Sequence, residues 1–296
     1  MTMRMPDDAP AIVRRWVDTF ASGDLASLND ARDQGHIARW PQSGELVRGR
    51  DALRRIEAAY PGGMPRLTSL RRVDGRDELW TVEGIATYPG GDDWFFIAIL
   101  ELSHDRIAST TEYFGQTLEA PAWRAAHVVH IDGRSAPPPL PPAADLTSAE
   151  LHSLTKSYAA AMAVRDFDAL RRYRAPGWYT DWPQSGERIP DHEADVAIHA
   201  DYPGYPSQNF ATVRAAEEGW EVTALFTPIR VHGAGPIVVI EGVNDYPDDG
   251  RWFIAGLLEV GGGKCRRETH YWTQPFDPPA WRAAFTERFD PTAPRA

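Results

Sequence analysis

Glu268 and His270 stand two residues apart in the segment Glu268-Thr269-His270-Tyr271-Trp272. Side chains on a β-strand alternate between faces, so this spacing puts both on one face, about 7 Å apart. A carboxylate beside an imidazole suits general acid–base chemistry. It orients the ring and raises its basicity, and imidazole titrates near neutrality. A single bulge would instead turn the pair outward. Asp181, next to Trp182, is a third candidate acid. Nucleophilic and metal chemistry find less support. Cys265 follows Gly261-Gly262-Gly263-Lys264, where Lys264 and Arg266 could lower its pKa, but a plain thiol beside a turn is the simpler reading. The glycine run is not a phosphate loop, because no helix follows it. His127 and His130 lie three apart with no third ligand nearby, and the other histidines share no ligand spacing. No metal and no cofactor are expected. His199, ahead of Pro203, reads as a surface residue.

The chain that carries these groups is written twice. Trp40-Pro41-Gln42-Ser43-Gly44-Glu45 recurs unchanged as Trp182-Pro183-Gln184-Ser185-Gly186-Glu187, an offset of 142. Tyr60-Pro61-Gly62 matches Tyr202-Pro203-Gly204 at the same offset. Later matches run at 158, including Trp94-Phe95 with Trp252-Phe253 and Pro121-Ala122-Trp123-Arg124-Ala125-Ala126 with Pro279-Ala280-Trp281-Arg282-Ala283-Ala284. The second copy therefore carries 16 extra residues, the difference between 158 and 142, which read as an added β-hairpin at about 209–224. A unit of about 130 to 150 residues far exceeds the 20–50 of solenoid repeats, so each copy is a domain. The expected division is 1–131, a linker at 132–146 and 147–296. The linker contains Pro137-Pro138-Pro139-Leu140-Pro141-Pro142, a stiff polyproline spacer.

Within the first copy, Ile12, Trp16 and Phe20 mark one face of a helix over 11–20, and Asp24 caps a second. A short strand over 36–41 leads to a third helix over 51–60. Four strands follow, at 67–73, 78–88, 94–102 and 106–116, separated by glycine-bearing or short polar turns. The second copy repeats the plan, with a longer first helix over 148–165. Helices followed by a meander of long strands make an α+β domain. Glu101 and Glu259 read as facing solvent or the domain interface, and Glu83 and Glu241 similarly or as capping a sheet edge.

This order, with the Trp-Pro-Gln-Ser-Gly-Glu segment, the late strand Thr111-Glu112-Tyr113-Phe114 and the closing Pro121-Ala122-Trp123-Arg124, resembles the SnoaL-like family of the nuclear transport factor 2-like superfamily. The second copy matches through Glu268 to Trp272 and Pro279 to Arg282. The resemblance implies two tandem cone-shaped α+β barrels, each with three N-terminal helices on a strongly curved, mainly antiparallel sheet around a cavity. Ketosteroid isomerases of this superfamily place an aspartate base just before a proline on the strand entering the third helix. That position here is Trp40 or Trp182. Their second acid falls near Ile97 or Ala98 and near Ala255 or Gly256, so the isomerase constellation is absent. Cavity-wall positions implied by the resemblance are Thr110, Glu112 and Phe114, and then Glu268, His270 and Trp272. The second copy is thus the expected catalytic half, with His270, Glu268 and Asp181 as catalytic groups. Trp182, Trp272 and Tyr202, and in the first copy Trp40, Glu112 and Phe114, are expected to meet a ligand, although packing roles at the rim or in the core are open for the tryptophans and Tyr202.

Composition narrows the function. A net charge of −11 disfavours nucleic-acid binding, and one cysteine leaves no internal disulfide framework. No apolar stretch reaches a membrane span and no leader is evident, so a cytoplasmic protein is expected. With 11 Trp, 10 Tyr and 11 Phe, an apolar pocket is well supplied. The leading reading is a cofactor-independent acid–base enzyme on a hydrophobic small molecule, of cyclase, isomerase, dehydratase or lyase type, in natural-product biosynthesis. The alternative is a binding or sequestering protein. A third reading is structural, an intrachain pseudo-dimer that makes a further homodimer optional.

Overall fold

The computed structural model describes residues 5–200, 202, 212–215, 220–223, 227–234, 236–246 and 249–293. The first copy runs α1 (Ala11–Ser22), α2 (Leu25–Ala31), β1 (Arg32–Trp40), β2 (Glu45–Arg48) and α3 (Arg50–Ala58). Four long strands follow: β3 (Arg66–Arg76), β4 (Leu79–Thr87), β5 (Asp93–Ser103) and β6 (Arg106–Gly115). After the short β7 (Val129–His130) the second copy runs α4 (Ser148–Ala163), α5 (Phe167–Tyr173), β8 (Arg174–Trp182), β9 (Glu187–Ile189) and α6 (His192–Ala200). Next come β10 (Thr212–Ala215), β11 (Trp220–Thr223), β12 (Thr227–Ala234), β13 (Ile237–Tyr246), β14 (Gly250–Gly261) and β15 (Lys264–Thr273), with β16 (Glu287–Arg288) closing the chain. The described part of the expected hairpin, β10 and β11, pairs antiparallel.

Local signals explain the helices. Asp24 and Asp166 cap α2 and α5 by accepting from the backbone of Ser27 and Ala169. Thr147 and Glu150 form a reciprocal capping box on α4. α1 ends at Gly23, whose φ of 76° is a left-handed conformation that glycine adopts without strain. Val13, Trp16, Val17 and Phe20 recur at helical spacing and are buried against Leu67, Trp80 and Phe96 of the sheet. In the second copy Tyr158, Leu170, Trp178, Ile254 and Leu258 form the matching core.

Among the described residues two sheets have seven strands, ordered β16-β2-β1-β6-β5-β4-β3 and β12-β13-β14-β15-β8-β9-β7, and β10 with β11 forms a separate two-stranded one. All of these pairings are antiparallel except β1 with β6 and β8 with β15. The mixed α+β class is as expected. The compact units differ from a sequential division at 131 and 147. One comprises Met1–Gln116, Arg134–Pro138 and Pro275–Pro291; the other Thr117–Gly133, Pro139–Gln274 and Thr292–Ala296. Each closing tail therefore belongs to the unit built on the other copy, and residues 132–146 are shared out between the two.

Buried ion pairs account for that membership. In the first unit Arg282 Nε donates to both oxygens of the fully buried Glu45 at 3.0 Å, with its guanidinium 4.7 Å from the Trp40 ring centre. In the second, Arg124 Nε donates to Glu187 at 3.1 and 3.2 Å and lies 4.4 Å from the Trp182 ring. The two ends of the repeated motif thus recognise each other as Arg, Glu and Trp. Strand pairing of β16 with β2 and of β7 with β9 adds backbone bonds.

Two of these glutamates are placed differently from a solvent-facing reading. Glu83 and Glu241 are buried, because Arg71 and Arg72 on β3, and Arg230 on β12, neutralise them from the neighbouring strand. Glu259 pairs with Arg267, and Glu101 accepts from the Ser109 hydroxyl at 2.5 Å. Among the described residues, no helix is long and apolar enough to cross a membrane.

Candidate functional site

The register of β15 decides which side chains meet the cavity. Shifts in pairing occur at Glu259/Val260 and Cys265/Arg267, but from Arg267 to Thr273 the ladder with β14 is continuous. Strand alternation then sends Glu268, His270 and Trp272 to the face beneath the helices, where all three line a cavity of about 510 Å³. The same face of the sheet contributes Thr180 and Trp182 from β8, Ile254 from β14 and Asn244 from β13. Gly256, opposite His270, leaves room for the imidazole: a Cβ there would lie 3.4 Å from His270 Cδ2. A cavity of this size suits a drug-sized molecule.

Glu268 is fully buried and heavily bonded. The Tyr158 hydroxyl donates to Oε1, Arg174 Nη2 lies 3.5 Å from that oxygen, and His270 Nε2 is 2.9 Å from Oε2. Burial alone would raise the carboxyl, but the His270 hydrogen bond and the Arg174 charge outweigh it and hold Glu268 below its usual range. It is therefore an acceptor, and His270 Nε2 carries the hydrogen. In the neutral ring that leaves Nδ1 as the basic atom.

Arg174, where α5 meets β8, extends the network. Its Nη1 donates to Asp195 Oδ2 at 2.7 Å and to His192 Nδ1 at 2.8 Å, and its Nε to the Tyr158 hydroxyl at 2.9 Å. On α6, His199 Nδ1 donates to the Asp195 carbonyl at 2.8 Å and lies 3.4 Å from Oδ1. Burial would raise Asp195, but Arg174 and His199 hold it well below the usual carboxylate range. Two carboxylate–imidazole pairs, Glu268–His270 from the sheet and Asp195–His199 from a helix, are thus joined through one guanidinium. Arg174, Asp195, His199, Glu268 and His270 all line the same cavity.

The matched positions of the first copy keep the arginine but neither carboxylate–imidazole pair. Glu268, His270, Asp195 and His199 correspond to Thr110, Glu112, Leu53 and Glu57. Arg32, matching Arg174, forms a buried two-bond pair with Glu57 at 3.0 and 2.6 Å. Trp40 Nε1 donates to Glu112 Oε2 at 2.9 Å, and Phe114 packs on Phe96 with ring centres 4.9 Å apart. The three first-copy residues expected to meet a ligand are thus engaged with one another or with the core. Burial pushes the Glu112 carboxyl up.

Of the residues singled out from sequence, His270, Glu268, Trp182, Trp272 and Tyr202 line the cavity. Asp181 is not among its lining residues. It pairs with Thr269 in register, on the opposite face of β8 from Thr180 and Trp182, and its carboxylate accepts from Arg188 at 2.6 and 3.0 Å. Adjacency to Trp182 in sequence suggests nearness, but neighbours on a strand point opposite ways. His199, read as a surface residue, lines the cavity instead. Its signal was the i,i+4 spacing to Asp195 on one helix face. Arg174 was legible only as the repeat partner of Arg32. Cys265 is buried, and burial followed by the Glu268 charge pushes its thiol well up, which suits an inert role. Among the described residues no group of three or more His, Cys, Asp or Glu could hold a metal ion.

No protein-family model and no curated protein matches the chain. Solved structures do. An NTF-2 like protein of unknown function from Burkholderia xenovorans LB400 is 30% identical over 40% of this chain and 92% of its own, with a TM-score of 0.38. Bal32a, from a soil-derived mobile gene cassette, is 23% identical over 35% and 86%, with a TM-score of 0.31. A protein with a ketosteroid isomerase-like fold from Catenulispora acidiphila DSM 44928, in complex with trimethylamine, is 15% identical over 37% and 88%, with a TM-score of 0.31. Other similar structures are of ketosteroid isomerase and polyketide cyclase type. Each spans about the length of one copy.

Proposed function

We propose that the second unit catalyses cofactor-independent proton transfer on a hydrophobic small molecule held in its cavity, as in an isomerisation, cyclisation, dehydration or elimination. The observation that carries this reading is the His270–Glu268 contact of 2.9 Å on the cavity wall, with Glu268 held below its usual range by that hydrogen bond and by the Arg174 charge. His270 Nδ1 takes a proton from the ligand, and the imidazolium so formed sits against the Glu268 carboxylate. The hydrogen bond from Nδ1 of His199 to the Asp195 carbonyl leaves its Nε2 as a second proton-handling atom on the same cavity. Trp182, Trp272, Tyr202 and Tyr246 supply the apolar surface.

The probe 5-nitrobenzisoxazole tests this without knowledge of the natural substrate, because its ring opens on removal of one C–H proton. The wild-type chain should open it, and His270→Ala should slow opening by about 100-fold or more, the usual worth of a positioned base. Equal rates for the two proteins would contradict catalysis at this site and leave the cavity a binding role.

A further inference from the structure

In the first copy a carboxylate stands among aromatic rings. Glu112 lies on β6, between β1 and β5 in the sheet, so solvent reaches its side chain across the face that it shares with Phe114. Glu112 is half-buried, and so are Phe114, Trp40, Tyr60, Tyr88 and Trp281. Their contacts close on themselves. Trp40 Nε1 donates to Glu112 Oε2 at 2.9 Å, and the ring centres of Trp40 and Trp281 lie 4.7 and 5.9 Å from the Arg282 guanidinium. Trp281 meets Tyr60 at 5.3 Å between ring centres, Tyr60 meets Tyr88 at 6.2 Å, and Tyr88 meets Phe114 at 6.4 Å. All of these residues belong to one unit.

Charge is unbalanced within this circle. Arg282 is neutralised by Glu45, and Arg32 by Glu57. Glu112 accepts from the Trp40 indole and the Thr110 hydroxyl, which are both neutral. One acidic group is therefore left over among rings whose faces attract cations. Burial pushes the Glu112 carboxyl up, and a cation placed against it offsets that burial.

The second copy supplies such a cation from its own chain. Tyr202, the counterpart of Tyr60, has the Arg165 guanidinium 5.9 Å from its ring centre. Arg165 holds a left-handed conformation, φ 54°, that costs any residue but glycine, and its counterpart in the first copy is Gly23 at φ 76°. The exposed Arg66 lies beside Gly23, but among the described residues no guanidinium stands over Tyr60. One copy thus sets an arginine against its tyrosine, while the other offers a glycine and a carboxylate.

We propose that the aromatic circle around Glu112 binds an alkylated ammonium ion, its charge against the carboxylate and its alkyl groups on Tyr60, Tyr88 and Trp281. A bare ammonium is strongly hydrated and asks for several acceptors, whereas these walls offer aromatic faces, which suit a methylated cation. The site lies in the other unit from the proton-transfer cavity and does not depend on that reading.

The test uses the full chain with choline and with 3,3-dimethylbutan-1-ol, which replaces the charged nitrogen by carbon, and reads dissociation constants by titration calorimetry. Choline should bind at least about tenfold tighter than the alcohol, the scale of a desolvated cation–π contact. Glu112→Gln keeps an acceptor for Trp40 but removes the charge, and Tyr60→Leu removes a ring. In each variant choline should weaken by about threefold or more while the alcohol changes little. No binding of choline, equal binding of the two compounds, or a preference kept in full by the variants would overturn the proposal. Each variant locates the site by itself, so the result holds even if the other fails to fold.

Discussion

His36 shows how one buried group sets a pH limit on the fold. It is fully buried, with Nδ1 donating to the Ile107 carbonyl at 2.9 Å. Burial first, and then the Arg32 charge, push its pKa from 6.5 down to about 3. The unfolded chain therefore takes up a proton below pH 6.5 that the folded chain refuses until about pH 3. Folding stability falls across that window as pH drops, by about 1.4 kcal/mol per unit at most. His36→Asn keeps a donor for Ile107 but cannot titrate. Urea midpoints at pH 7 and pH 4.5 should differ less in His36→Asn than in the wild type. Equal differences would show that His36 does not set the pH dependence of stability. Glu268 and His270 were legible at this same scale, because strand period and side-chain chemistry agreed. Asn244 was not, because an amide in a strand becomes informative only when its partners are known.

At the scale of elements, α6 is fastened to β8 through Asp195 and Arg174, both buried, at 2.7 Å. Removing one partner of a buried pair leaves an uncompensated charge, a cost of roughly 3 kcal/mol or more. Asp195→Ala should therefore lower stability by about that amount in urea unfolding, and a change below about 1 kcal/mol would show that the pair is not what holds the helix. The helices and long strands were readable from capping residues and hydrophobic spacing. Which face of α6 points inward was not, since His199 and Asp195 would share a face whether it met solvent or cavity. Asp181 failed for a related reason: its neighbour in sequence lies on the other side of the sheet.

At the scale of the molecule, duplication was plain from the repeated hexapeptides, but not the exchange of tails between units. Identical motifs fit either copy equally well, so sequence alone could not say that Arg282 serves Glu45 and Arg124 serves Glu187. Arg282→Ala should destabilise the unit of the first copy by about 3 to 5 kcal/mol and leave 5-nitrobenzisoxazole opening by the folded chain unchanged. Arg124→Ala should slow that opening, because it frees the Trp182 ring that lines the cavity. The reverse pattern would contradict the assignment of tails. Duplication also explains how the cavity changed: one copy keeps the buried Arg32–Glu57 ion pair and a ring-packed arrangement, while the other carries two carboxylate–imidazole pairs around Arg174.

We assign proton transfer to the second copy and not to the first. The most direct measurement compares 5-nitrobenzisoxazole opening by wild type, His270→Ala and Glu112→Gln, the last two being changes at matched positions of the two copies. His270→Ala should fall to background and Glu112→Gln should keep the wild-type rate. Loss of activity in Glu112→Gln with His270→Ala unaffected would contradict it.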